Sequence, residues 1–208
     1  MKDKMKLKVC GMREPGNMLQ VALLQPDYMG FIFYPKSPRY VGETFEIPAD
    51  FPTQIKRVGV FVNASTEEMI RLTNRYALDY LQLHGEESTA QVQELKNADL
   101  KVIKVFSVSD AFDFSVTRPY ESLVDFFLFD TKGMYYGGNA RAFDWAILKQ
   151  YDQHVPFFLS GGIAPENVAA VRLLETMNLH ALDVNSGVEE EPGIKNPDKI
   201  KAIQNYIN

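Results

Sequence analysis

Eight short runs of β-forming apolar residues, spaced by helix-type or loop segments, recur from one end of this chain to the other. They are Leu7–Cys10, Tyr28–Phe33, Arg57–Val62, Tyr80–His84, Val102–Phe106, Asp125–Asp130, Val155–Ser160 and Ala181–Asn185. Most are nearly continuous in Val, Ile, Leu and Phe rather than alternating, the pattern of strands buried on both faces of a parallel sheet. The intervening segments carry helix-start chemistry. Ser65-x-x-Glu68 and Ser88-x-x-Gln91 read as capping boxes. Pro15 and Pro165 suit first helical turns, and Asn196-Pro197 is a cap followed by proline at the first helical position. Ile200, Ile203 and Ile207 give the last helix one apolar stripe. The segment after the second run is the exception, because Pro35, Pro38, Pro48 and Pro52 crowd it and leave its helix poorly signalled.

Eight strands with helices between them, in 208 residues, most economically close into one (β/α)₈ barrel, with residues 1–208 as a single domain. An open doubly wound sheet is the alternative. It would usually place a glycine-rich nucleotide turn after the first strand, and Cys10-Gly11-Met12-Arg13 is no G-x-G-x-x-G. The net charge of −5 and the lack of a Lys/Arg run argue against nucleic-acid partners. No stretch of 18 uninterrupted apolar residues exists, and the basic start at Met1–Lys6 is followed by no apolar signal core, so no membrane association is expected. A single cysteine fits a reducing compartment and a cytoplasmic location. Oligomeric state is left open between monomer and homodimer.

Barrel enzymes carry their chemistry at the carboxyl ends of the strands. Two glycine turns stand at such ends late in the chain, Ser160-Gly161-Gly162 and Ser186-Gly187. Their bare backbone N–H groups suit an anion, and a helix beginning near Pro165 would add its positive end, so a phosphate ester is the expected ligand. The other strand-end candidates are Cys10, Arg39, Asn63, His84, Asp130, Asp183 and Asn185. Each has two readings. Cys10 is either a small buried hydrophobe or a thiolate base, the latter needing its pKa lowered by positive charge. Asp130 either organises a loop or, raised by its apolar flank Phe126-Phe127-Leu128-Phe129, donates a proton. Arg39, in a loop braced by Pro35 and Pro38, is either solvated or grips a carboxylate with two hydrogen bonds. His84 is a structural imidazole or a substrate contact, and Asp183 a loop anchor or a substrate contact. No His/Cys/Asp/Glu cluster has metal-ligand spacing and no dinucleotide or Walker motif appears, so cofactor-free acid–base chemistry is expected, with no metal.

These motifs, in order, resemble those of the phosphoribosylanthranilate isomerase family. They are Lys8-Val9-Cys10-Gly11, Gly30-Phe31-Ile32-Phe33 with Ser37-Pro38-Arg39, Val58-Gly59-Val60-Phe61-Val62, Leu81-Gln82-Leu83-His84-Gly85, Phe143-Asp144-Trp145, Ser160-Gly161-Gly162-Ile163 and Leu182-Asp183-Val184-Asn185-Ser186-Gly187-Val188-Glu189. The resemblance spans essentially the whole chain. It implies a (β/α)₈ barrel of tryptophan biosynthesis that rearranges N-(5-phosphoribosyl)anthranilate without metal or organic cofactor. It further implies Cys10 as general base, Asp130 as general acid and Arg39 as the ligand of the anthranilate carboxylate. The phosphate then falls to the turns around Gly161-Gly162 and Ser186-Gly187. One segment departs from the family pattern: Gly137-Gly138-Asn139-Ala140-Arg141 has Ala140 for a flexible glycine and Arg141 for lysine, which puts loop closure or product release in doubt. Other phosphosugar barrel enzymes would need strand-end histidines, or lysines with a glutamate, that this chain lacks. A non-catalytic phosphate-ester binder is the remaining alternative.

Overall fold

The structure is a computed structural model that describes residues 5–131 and 145–207, with Thr131 placed by its backbone alone. Eight parallel strands close into a barrel in sequence order. They are β1 (Lys6–Val9), β2 (Tyr28–Ile32), β3 (Lys56–Phe61), β4 (Tyr80–Leu83), β5 (Val102–Val108), β6 (Phe126–Thr131), β7 (Phe157–Ser160) and β8 (Leu179–Val184). All eight expected strands are present, with ends displaced by one or two residues. The last strand pairs with the first, Lys6 opposite Ala181 and Val9 opposite Val184, so the ring has no free edge.

The helices start where local chemistry satisfies their orphan N–H groups. In α1 (Pro15–Ala22), proline takes the first position and the Glu14 carboxylate accepts from the Gly16 N–H at 2.9 Å. In α2 (Thr66–Tyr76) and α3 (Thr89–Asn97), the Ser65 and Ser88 hydroxyls accept from the Glu68 and Gln91 N–H groups at 3.2 and 3.3 Å. Each serine half of the expected capping boxes forms, but the Glu68 and Gln91 side chains bond elsewhere. Glu68 takes Arg71 and the Gln91 amide donates to the Ala64 carbonyl. In α4 (Pro197–Ile207), the Asn196 side chain accepts from Asp198 and Lys199. The expected helix near Pro165 is different: Pro165 lies in a turn, and a 3₁₀ segment begins only at Val168 and runs to Leu174. Asn167 explains the delay, since its side chain accepts from the Ala164 N–H and donates to the Gly162 carbonyl, holding a turn where helix would start. The proline-rich stretch after β2 forms no helix.

Two layers of packing follow from the strand period of two. On β6, Phe127 and Phe129 face the large outer core beneath the helices, while Leu128 and Phe126 fill the barrel interior with Tyr28, Val58, Ile103 and Phe158. Interior facing at Phe126 and Leu128 sends Asp130 inward at the next step. The same count sends Cys10 inward after Lys8, and His84 inward after Gln82 and Tyr80. No described helix is long and apolar enough to cross a membrane.

Candidate active site

These inward steps meet at the carboxyl end of the barrel in a cavity of about 200 Å³. Cys10, His84, Asp130 and Asp183 line it, together with the turns at Gly161-Gly162 and Ser186-Gly187. Ile32 and Val60 supply an apolar wall, packed against Cys10. Ten of the twelve expected strand-end residues therefore share one cavity; Arg39 is outside its lining. Asn63 also lies outside it, its side-chain oxygen accepting from the Glu86 N–H at 2.7 Å.

Cys10 sits among buried charges, of which sequence reading had Asp183 but missed Lys8 and Lys195. Lys8, fully buried, forms a 2.8 Å ion pair with Asp183, its neighbour in the β1–β8 register. Gly30 on β2 lets this group close up: a Cβ there would lie 2.8 Å from the Cys10 sulfur and 3.3 Å from the Lys8 nitrogen. The lowered thiol pKa that the thiolate reading asks for is not found in the free site. Burial dominates and pushes Cys10 above its ordinary value, with Lys8 and Lys195 pulling it down and Asp183 adding to the rise. Burial also disfavours the Lys8 charge, but Asp183 and Cys10 outweigh it and keep Lys8 protonated. The available signal was a lysine in an apolar strand, two residues before the thiol and so on its face.

On the far side of the mouth, His84 Nε2 stands 3.5 Å from an Asp130 oxygen, and His84 Nδ1 stands 3.2 Å from the Gln82 amide nitrogen. Asp130 itself keeps partial access to solvent, at 23% side-chain exposure. Arg39 is held at the rim in a two-pronged ion pair, its Nε donating to Glu189 Oε1 at 2.8 Å and its terminal nitrogen to Oε2 at 2.6 Å. Lys195 donates to the same Glu189 at 2.5 Å and to the Asn185 side chain at 2.6 Å. Burial works against the Glu189 charge, but the hydrogen bonds from Arg39, Lys195 and the Gly193 N–H win and hold the carboxyl near pKa 2.

The two glycine turns touch. A Cβ on Gly187 would stand 2.1 Å from the Ile163 carbonyl oxygen, and Gly161 and Gly162 take φ of +105° and +67°. The expected helix end at Pro165 adds nothing here, since helical geometry starts at Val168; backbone amides and the 3₁₀ turn Ser186–Val188 are what this corner offers an anion. Among the described residues, three possible metal ligands do gather within 4.8 Å of one another, Glu121, Asp152 and His154. They precede β6 and β7 and so belong to the opposite end of the barrel. The Gly137–Arg141 segment and Phe143-Asp144 lie outside the described residues.

Comparison with known proteins agrees with this geometry. Residues 7–205 match the family described as PRAI: N-(5'phosphoribosyl)anthranilate (PRA) isomerase. The N-(5'-phosphoribosyl)anthranilate isomerase of Parabacteroides distasonis is 48% identical over 204 residues, covering 97% of this chain and 92% of the relative. The crystal structure of the phosphoribosyl anthranilate isomerase of Thermotoga maritima superposes with a TM-score of 0.83 at 33% identity, covering 98% of each chain. A phosphoribosyl anthranilate isomerase solved in complex with reduced 1-(o-carboxyphenylamino)-1-deoxyribulose 5-phosphate gives a TM-score of 0.79 at 32% identity, with 96% of each chain covered. Closed barrel, cavity and full-length match together place this chain in the phosphoribosylanthranilate isomerase family.

Proposed function

We infer that this chain is an N-(5'-phosphoribosyl)anthranilate isomerase. It converts the ribosylamine into 1-(2-carboxyphenylamino)-1-deoxyribulose 5-phosphate by general acid–base catalysis. The observation that carries the reading is the meeting of Cys10 and Asp130 in one cavity whose rim between their strands holds the two touching glycine turns. β7 and β8 separate β6 from β1 around the ring, so a phosphate held at those turns leaves the sugar between acid and base. The apolar wall of Ile32 and Val60 faces the same space and suits the aromatic ring, and Arg39, just beyond β2, suits its carboxylate.

In this reading Asp130 protonates the ribose ring oxygen. The C1–O bond breaks and leaves a cationic Schiff base between C1 and the anthranilate nitrogen. That cation acidifies the C2–H, and the Cys10 thiolate takes the proton. An enolamine results; moving a proton from its C2 hydroxyl to C1 gives the ketone. The substrate is then isomerised with no net gain or loss, while Asp130 has lost one proton and Cys10 gained one, and exchange with solvent restores both before the next turnover. Asp183, paired with Lys8, fixes the charge beside the thiol, and His84 fixes the direction of the Asp130 carboxyl.

The test is loss of anthranilate fluorescence on purified protein supplied with phosphoribosylanthranilate, with and without EDTA. Turnover indifferent to the chelator is expected. Cys10→Ala and Asp130→Asn should each lower kcat by orders of magnitude with the thermal midpoint kept, and Arg39→Ala should chiefly raise KM. Tight binding of the product analogue with no turnover by the unaltered protein would favour a non-catalytic binder instead.

A further inference from the structure

Gln82 lines the cavity and has no role in the mechanism above. It is 1% exposed and stands on β4, two residues below His84 and on the same inward face. One end of its amide lies 3.2 Å from His84 Nδ1; the other, Oε1, is buried with no hydrogen-bond partner among the described residues. Exchanging the amide nitrogen and oxygen does not remove the problem, because it leaves a donor unpaired in place of an acceptor. A buried amide with one end empty is unfavourable until something pairs with it. The side chain lines the cavity, and the last torsion of a glutamine is soft, so the free end can turn toward a ligand at little cost.

The sugar has one oxygen to match. With the reading above, the phosphate occupies the turns after β7 and β8, the ring oxygen meets Asp130 on β6, and C2 with its hydroxyl meets Cys10 on β1. The hydroxyl at C3 takes no part in bond making and is left without a protein group. β4 stands opposite β8 in an eight-membered ring, so a sugar reaching inward from the phosphate turns points its far edge at Gln82. A hydroxyl both donates and accepts, and therefore satisfies either orientation of the amide. We propose that Gln82 binds the C3 hydroxyl of the ribosyl substrate, and so selects ribose over sugars lacking that group. The proposal rests on the isomerase reading and deepens it.

The experiment compares phosphoribosylanthranilate with its 3-deoxyribosyl counterpart on the unaltered protein and on Gln82→Met, which keeps side-chain length without hydrogen-bonding atoms. The unaltered protein should favour the ribosyl substrate by about tenfold or more in kcat/KM, since a site built to pair with a hydroxyl rejects the analogue lacking it. Gln82→Met should lose a similar factor on the ribosyl substrate and treat the two nearly alike. Equal kcat/KM of the unaltered protein on both substrates overturns the proposal without recourse to any variant. A Gln82→Met protein that still discriminates, or that falls equally on both substrates, overturns it too. If the unaltered protein turns over neither substrate, the isomerase reading itself falls, an outcome separate from loss of discrimination.

Discussion

In the proposed reaction Cys10 has to act as a base in a place that favours its proton. Burial raises the thiol, and Asp183 raises it further, while Lys8 and Lys195 oppose both. A base works only once deprotonated, so the rising limb of kcat/KM, which reports the free enzyme, is expected on the alkaline side of the ordinary thiol value of 9.0. The Schiff base brings a positive charge to the sulfur, so the rising limb of kcat should lie at lower pH than that of kcat/KM. Asp183→Asn removes a negative neighbour and should move the kcat/KM limb downward; rate profiles from pH 6 to 10 read all three positions. A limb unmoved by Asp183→Asn would detach that carboxylate from the thiol. Cys10 and Asp130 were visible in the sequence because each ends an apolar run at the chemically active face. Lys8 and Gln82 were equally visible as polar letters inside such runs, but their partners were not. Lys8 meets Asp183 across 175 positions of chain, and Arg39 meets Glu189 across 150, contacts that only ring closure creates.

Strands were the most legible elements, since burial on both faces leaves nearly unbroken apolar runs that turn residues delimit. Helix starts were legible where a single side chain decides them, as at Ser65, Ser88 and Asn196. The Pro165 segment was not, because proline fits the first position of a turn as well as that of a helix, and the choice fell to hydrogen bonds made by Asn167. The turns after β7 and β8 act as one element, and two glycines test this differently. Gly162 has a left-handed φ of +67° but nothing within 4 Å of a would-be Cβ, so Gly162→Ala should cost roughly 1 kcal/mol through backbone strain alone. Gly187 has the reverse problem. Its Cβ would meet the Ile163 carbonyl at 2.1 Å, and no flexible side chain can yield there. Gly187→Ala should therefore force the turns apart and raise KM at least tenfold, with a smaller effect from Gly162→Ala; steady-state kinetics and thermal unfolding of both proteins check the order.

Across the whole molecule, the C-terminal hairpin β9 (Glu189–Glu191) and β10 (Ile194–Lys195) is latched to the β2–β3 side of the barrel mouth by Glu189, which takes Arg39 and Lys195 together. Burial alone would raise this carboxyl, but its three donors bring it from 4.5 to about 2. A folded-state pKa below the unfolded one means that the latch stabilises above pH 4.5 and that its contribution is lost as pH falls toward 2. Thermal midpoints measured across that interval should fall more steeply for the unaltered protein than for Glu189→Gln, and parallel curves would sever the latch from acid stability. The seam of the barrel has a consequence of another kind. Cys10 and its lysine come with the first of the eight barrel strands, whereas the carboxylate that balances them arrives on β8, after the other seven barrel strands have been made. A nascent barrel thus carries an uncompensated buried-to-be ammonium until its eighth strand is made, and the charged surroundings of the thiol come into being only at the closing stitch.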